Sequence, residues 1–214
     1  MKIRGILAVL ALVCSAAHGA AAQSIIEDWG LATAPPAPVA QTVTLDPKTT
    51  AFLALDFTGG DDPKKGPCNI TRPRCMSSLP AVKKMLTAAR AAGVLIVYSV
   101  TTAGGPEDID HYIAPQPGDP VVKSGPDKFI GTDLAQILAS HGIKTVVVTG
   151  TAAEGAVMQT VTDAVMREGL KAVVPVAGMS SSLLYNEQYV AWYFLNAPGM
   201  KGKVVLTQRR LMSY

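Results

Sequence analysis

Val147-Val148-Thr149-Gly150-Thr151-Ala152-Ala153-Glu154-Gly155-Ala156-Val157 holds the end of an apolar run, a glycine turn and the start of a helical pattern. The apolar run, Lys144 to Val148, reads as a buried strand, and the pattern that follows reads as a helix from about Glu154 to Arg167, closed near Gly169. A strand passing through a short turn into a helix is half of a βαβ unit. Backbone amides at such a helix start suit an anion or a developing oxyanion.

The same alternation extends in both directions. Upstream, Thr50 to Phe57 and Val94 to Val100 are continuous apolar runs that read as buried strands. Between them Val82, Met85, Leu86, Ala89 and Ala92 recur at helical spacing over Leu79 to Ala92, and Gly93 closes that helix. Thr101 to Pro126 reads as a polar loop, followed by a helix over Asp133 to Ser140. Downstream come a strand at Lys171 to Val176, a helix at Asn186 to Leu195 and a strand at Lys203 to Leu206. Continuously apolar strands alternating with helices predict an α/β fold: a three-layer αβα sandwich on a mostly parallel, Rossmann-like sheet. Ligands in such sheets bind beyond the carboxyl ends of the strands, so residues just after strands are the candidates for function.

The chain begins with Lys2 and Arg4, an apolar stretch from Ile6 to Val13 and small residues ending at Ala22. This predicts a secretory signal peptide over 1–22 and a periplasmic or secreted protein. The apolar stretch is shorter than the roughly 18 to 20 residues that span a bilayer, so no membrane association is expected after cleavage. Residues 23–49, with Pro35, Pro36 and Pro38, predict an extended Ala/Pro-rich arm, and 50–214 a single domain. The formal charge of +3 includes Lys2 and Arg4, which leaves the mature chain nearly balanced and offers nothing for a nucleic acid. Cys14 departs with the signal. Cys68 and Cys75 remain, and an oxidising compartment predicts a disulfide between them, with a free nucleophilic thiol as the alternative.

Three segments carry the candidate chemistry. Asp56 ends the first strand, where burying a carboxylate is costly unless it is partnered or functional. Lys123-Ser124-Gly125-Pro126-Asp127-Lys128-Phe129-Ile130-Gly131-Thr132-Asp133-Leu134 leads from a loop into a helix, and taken alone its lysines read as solvated. The third is the opening stretch. Glu154 reads as a first-turn helix carboxylate or as a pocket acid. Ser180-Ser181-Ser182 reads as a turn, with a pocket wall as the alternative. Trp192, Tyr193 and Phe194 read as core or oligomer interface.

Together the three segments resemble the isochorismatase-like, or cysteine hydrolase, family over roughly Thr50 to Leu206. Its members carry an aspartate after an apolar first strand, matched by Asp56, and a lysine separated by three residues from a Ser-x-Phe-x-Gly-Thr-x-Leu stretch. Lys123, Phe129, Gly131, Thr132 and Leu134 fit that second motif, with Asp127 in place of the serine. The third motif, Val-Thr-Gly-x-x-Thr-x-x-Cys-Val then Thr-x-x-Asp-Ala, is met by Val148, Thr149, Gly150, Val157, Thr160, Asp163 and Ala164. Two positions depart: Ala153 replaces the threonine and Ala156 the nucleophilic cysteine.

An alanine cannot attack a carbonyl, so the family's covalent mechanism does not carry over. The isochorismatase branch cleaves a vinyl ether with water and tolerates this loss, but it has a glutamine where Thr58 stands here. The resemblance therefore implies a hydrolase of a small amide or vinyl ether, acting through Asp56, Lys123 and water. Ala153, Glu154, Gly155, Ala156 and Phe129 would line the substrate. The alternative is an inactive small-molecule-binding relative of the same fold. No cofactor is expected. A metal would need about three protein ligands, whereas Asp110-His111 offers one pair. Family likeness also implies homo-oligomers.

Overall fold

The computed structural model describes residues 36–214; the signal expected at 1–22 and the arm up to residue 35 lie outside the described residues. In chain order the elements are β1 (Val43–Thr44), β2 (Thr50–Leu55), β3 (Gly59–Gly60), β4 (Cys68–Asn69), α1 (Pro73–Ala91), β5 (Leu95–Val100), β6 (Val121–Lys123) and α2 (Leu134–Ser140). There follow β7 (Thr145–Thr151), α3 (Met158–Met166), β8 (Lys171–Pro175), β9 (Met179–Ser180), α4 (Leu184–Asn196), β10 (Val204–Thr207) and β11 (Met212–Ser213).

The main sheet runs β10-β8-β7-β2-β5-β6, with β9 extending the pairing along β7, and every pairing is parallel. Its first strand, β2, is central: the next two strands lie to one side and the later ones to the other. Strand order thus reverses between β2 and β7, and the crevice beyond their carboxyl ends is where such sheets bind ligands. Leu55 is paired with Gly150 at that point. A Cβ on Gly150 would lie 2.7 Å from the Leu55 Cβ, so only glycine lets these two strands run side by side to their ends.

Side-chain alternation divides the core into two layers, as a pleated strand requires. Ala51, Leu53 and Leu55 of β2, with Val146 and Val148 of β7, pack on one face against Leu134 and Leu138 of α2, Val161 and Val165 of α3, and Val190 and Phe194 of α4. Phe52 and Ala54, with Val147, face the other way onto Leu79, Val82, Met85 and Leu86 of α1. Phe194 is thus core, whereas Trp192 is partly exposed, at 39%. Among the described residues no helix is long and apolar enough to cross a membrane.

Several elements differ from the sequence-based expectation. α1 begins at Pro73, ahead of the expected Leu79, because Pro73 occupies a first-turn position where its missing N–H is no loss, and the helix carries Pro80 in its interior. Strand β6 lies inside the segment expected to be loop, too short at three residues to show a period. The described part of the arm is docked: the Gln41 amide donates to the Leu206 carbonyl (2.8 Å), Thr207 Oγ1 donates to the Gln41 carbonyl (2.7 Å), and β1 pairs with β11.

Cys68 and Cys75 form a disulfide that ties β4 to the first turns of α1. Closing this short loop contributes about 2.5 kcal/mol in the chain-entropy description. The double variant Cys68→Ala/Cys75→Ala should lose about that much stability in urea unfolding, and dithiothreitol should lower the stability of the parent protein but not that of the variant.

At the carboxyl terminus Tyr214 packs on the α1 layer, and its hydroxyl is buried with no hydrogen-bond partner. Burial pushes the phenol up to about 12. The folded state therefore holds the Tyr214 proton more tightly than the unfolded chain does. Any stability from this is complete below pH 10, the ordinary value, and is lost as pH rises towards 12. Tyr214→Phe should flatten the alkaline arm of the stability profile without lowering stability at neutral pH, as followed by circular dichroism.

Candidate active site

Asp56 follows β2 directly at the point of strand-order reversal. Its backbone takes φ 57°, in the left-handed region that non-glycine residues seldom occupy. The turn is held by the Asp56 amide, which donates to the Ser99 carbonyl (3.1 Å). The carboxylate points into the protein and is only 4% exposed. Ser99 Oγ donates to its Oδ1 (2.7 Å), and Lys128 Nζ lies 2.7 Å from its Oδ2. Burial pushes the Asp56 carboxyl above its usual range; the charge and hydrogen bond of Lys128, and then the Ser99 hydroxyl, pull it part of the way back.

Lys128 is fully buried, and its ammonium also donates to the carbonyls of Gly125 (2.7 Å) and Ser124 (3.5 Å). It comes from the loop between β6 and α2, which is fixed by local bonds. Ser124 Oγ donates to the carbonyls of Asp127 (2.7 Å) and Ile130 (2.9 Å), and the Phe129 amide donates to Asp127 Oδ1 (3.0 Å). The Lys128 amide donates to Thr160 Oγ1 on α3 (3.2 Å), which pins the loop to that helix.

Lys123, expected from the motif to partner Asp56, does not. It ends β6 opposite Val100, and the strand's alternation turns Val122 inward and Lys123 out to solvent. It contributes there to lowering the Asp108 carboxyl, whose main supports are the Gly105 amide and Lys65. The ammonium beside Asp56 is supplied five residues later in the chain, where the loop folds back over the sheet.

Beyond β7 the chain makes a cis peptide between Thr151 and Ala152 and then a π-helical turn, Ala153–Val157, that runs into α3. Ala153 and Ala156 face the core; Ala156 is 3% exposed. The amides of Gly155 (3.1 Å) and Val157 (3.3 Å) both donate to the Ala152 carbonyl. Glu154 turns the other way. Its Oε2 accepts from Ser181 Oγ (2.6 Å) and its Oε1 from Asn186 Nδ2 (2.7 Å).

A cavity of 210 Å³ lies against this outer side of the turn, with Thr151, Ala152, Glu154, Arg72, Ser181 and Ser182 among its walls. Of the residues expected to line substrate, Glu154 lines this cavity. Ala153, Ala156 and Phe129 pack instead into the core beneath, because small or apolar side chains at these positions fall on the sheet-facing side. Gly155 is part of the same turn but not of the cavity wall. Ser182, read from sequence as a turn residue with a pocket wall as the alternative, lines the cavity, whereas Lys128, Ser99 and Arg72 were not singled out as site residues. Among them only Lys128 carried a signal, a lysine embedded within the Asp-x-Phe-x-Gly-Thr stretch.

Asp110 is buried and accepts from the Tyr112 amide (2.9 Å), while the His111 ring is exposed. Among the described residues no three His, Cys, Asp or Glu side chains cluster as metal ligands.

A doubly wound parallel sheet, with a buried carboxylate–ammonium pair and a helix-starting turn at its switch point, defines an α/β domain with a candidate ligand site at the strands' carboxyl ends. The chain belongs to the isochorismatase family: residues 69–199 match the Isochorismatase domain. That match begins after Asp56. The chain is 32% identical over 125 residues to the N-carbamoylsarcosine amidase of an Arthrobacter species, covering 45% of this chain and 47% of that protein. It thus spans about half the length of this curated relative.

Two solved structures share the fold. The N-carbamoylsarcosine amidase of Thermoplasma acidophilum superposes with a TM-score of 0.62 at 22% identity, over 75% of this chain and 96% of its own. The nicotinamidase of Staphylococcus aureus does so with a TM-score of 0.62 at 19% identity, over 75% and 99%.

Removing the buried ammonium tests the assignment of the pair. Lys128→Met should raise the Asp56 carboxyl further, so that the folded state favours the protonated acid and the variant's loss of stability is larger at pH 7 than at pH 4. The loss at pH 7 should be about 3 kcal/mol, that of a broken buried pair. Lys123→Met should stay within about 0.5 kcal/mol of the parent at both pH values. Urea unfolding at the two pH values and carbon-13 titration of the Asp56 carboxyl check both statements.

Proposed function

We propose that this protein is a hydrolase that cleaves a small amide or related molecule with water, using Asp56 as the proton-transfer group and Lys128 as its partner. The observation that carries the reading is the Asp56–Lys128 pair itself. A carboxylate and an ammonium taken out of water are poor devices for stability, since an apolar pair of similar volume serves a fold as well or better. Here the carboxylate also sits in strained backbone at the ligand-binding end of the sheet, with its proton affinity raised. Buried charge, strain and a shifted carboxyl at one position are marks of a working site.

In this reading Asp56 accepts a proton from water as the water oxygen bonds to the carbonyl carbon. It returns that proton to the departing nitrogen as the C–N bond breaks, which releases an acid and an amine. Lys128 keeps the carboxylate oriented and charged for the first step. With Gly155 and Val157 engaged, the remaining amides of the Ala153–Val157 turn are the candidates for stabilising the oxyanion. Ala156, packed into the core where the family carries its thiol, offers no nucleophile, so no covalent intermediate forms. The amide chemistry named for the Arthrobacter relative supports the substrate type. The N-terminal sequence, together with the disulfide, supports action in the periplasm or outside the cell.

A second reading, binding without turnover, is favoured by one observation: the cavity wall includes Thr151, Ala152 and Glu154, whereas Asp56 and Lys128 are buried and form no part of it.

Asp56→Asn decides between the two. On an amide that the parent protein turns over, the variant should lose at least about 100-fold in kcat, the usual contribution of a general acid–base group, with its circular dichroism unchanged. Unchanged turnover in Asp56→Asn would remove the mechanism. Saturable binding with no turnover by the parent, but turnover by Ala156→Cys, would establish the second reading.

A further inference from the structure

We infer that Asp127 is a positioning residue: with Asp163 it forms a carboxyl pair that fastens the loop carrying Lys128 to α3 while the two share a proton, and loosens it once that proton is lost. As a control on turnover this rests on the hydrolase reading; as a fastening of the loop it is measured without turnover.

The placement follows from α3. Thr160, fully buried, meets the loop on both sides of Asp127: its Oγ1 accepts the Lys128 amide (3.2 Å) and donates to the Pro126 carbonyl (3.5 Å). Asp163 follows one turn later on the same face of the helix. Held between the two bonds to Thr160, Asp127 brings its carboxyl into hydrogen-bond contact with that of Asp163. Its Oδ1 also accepts the Phe129 amide (3.0 Å). Asp127 stands where the family motif has a serine, so the second carboxyl is this chain's own addition.

Two carboxylates in contact repel, so the pair is favourable only while one member is protonated and donates to the other. Asp163, 8% exposed, accepts from Arg167 Nη1 (2.8 Å) through Oδ2, which leaves Asp127 as the member that carries the proton. Burial, and then the charge and contact of Asp163, push the Asp127 carboxyl above its usual range; the Phe129 amide and Arg167 pull it part of the way back. Asp163 and Arg167 are the charged groups that act on it. The neighbouring ammonium, Lys128, is committed to Asp56 and to carbonyls of its own loop.

The folded state thus holds the shared proton more tightly than the unfolded chain does. Stability from the closed pair is complete below 3.8, the ordinary value, and is lost as pH rises through the raised one. Asp56 acts in the opposite sense, since it must give up its proton to pair with Lys128 as a carboxylate. Turnover should therefore follow a bell, with its acid limb from Asp56 and its alkaline limb from the Asp127–Asp163 pair.

Carbon-13 titration of the Asp127 and Asp163 carboxyls and hydrogen exchange at the Lys128 amide test this on the intact protein. The two carboxyls should titrate as a linked pair, with one step above the ordinary range. Protection of the Lys128 amide, corrected for the intrinsic exchange rate, should fall at least about fivefold as pH rises across that step, the low end of ordinary coupling between sites. Asp127→Asn, whose amide donates to Asp163 at every pH, should keep the protection and lose the step. Asp127→Ser, with a hydroxyl donor, should do the same in part. Carboxyls that titrate independently, or a fall in protection that persists in Asp127→Asn, would each overturn the inference. On an amide that the parent turns over, Asp127→Asn should remove the alkaline limb of the kcat profile and leave the acid limb in place; an unchanged alkaline limb would overturn the control on turnover. A parent without turnover would count against the hydrolase reading alone, because exchange and titration still decide whether the pair fastens the loop.

Discussion

The arrangement at the switch point depends on one buried ion pair. Asp56 and Lys128 come from segments far apart in sequence, and each would be expensive to bury alone. Once paired, they fix the loop after β6 over the end of the central strand, and Lys128 spends its other hydrogen bonds on carbonyls of its own loop. That loop is fastened a second time through Thr160, so α3, the loop and β2 are joined at one place. The π-helical turn after β7 runs into the same helix that Thr160 ties to this loop.

Much of the fold was legible because strands buried on both faces have no polar alternation to disguise them. Runs such as Phe52-Leu53-Ala54-Leu55 and Val146-Val147-Val148 fill two core layers at once, and their sequence says so. Helices were less exactly bounded. Pro73 and Pro80 both lie within α1, and a proline read only as a breaker conceals a helix that starts on one and absorbs the other.

The candidate site was legible in part. Asp56 stood out as a charge at the end of an apolar strand. Which lysine meets it did not follow from spacing, because the choice is made by the pleat of a three-residue strand that the sequence does not announce. Val122 turns in, Lys123 turns out, and the reversing loop delivers Lys128 instead. Arg72 was hidden for a different reason: it meets Ser182 across the gap between α1 and α4, and a contact over that sequence distance leaves no local pattern. Ala153 and Ala156 were read as departures from the family motif, and in the structure their small size serves the packing beneath the turn.

The docking of the N-terminal arm has a bearing on behaviour in concentrated solution. β10 is the outermost strand on its side of the sheet, and an outer strand offers a row of unpaired amides and carbonyls to any other extended chain. Gln41 occupies the Leu206 carbonyl and takes the Thr207 hydroxyl, while β1 engages the residues just beyond. The arm is thus a built-in guard on that border, which discourages the sheet from growing by recruiting a neighbour, and a truncation that begins the chain at Thr50 would uncover it.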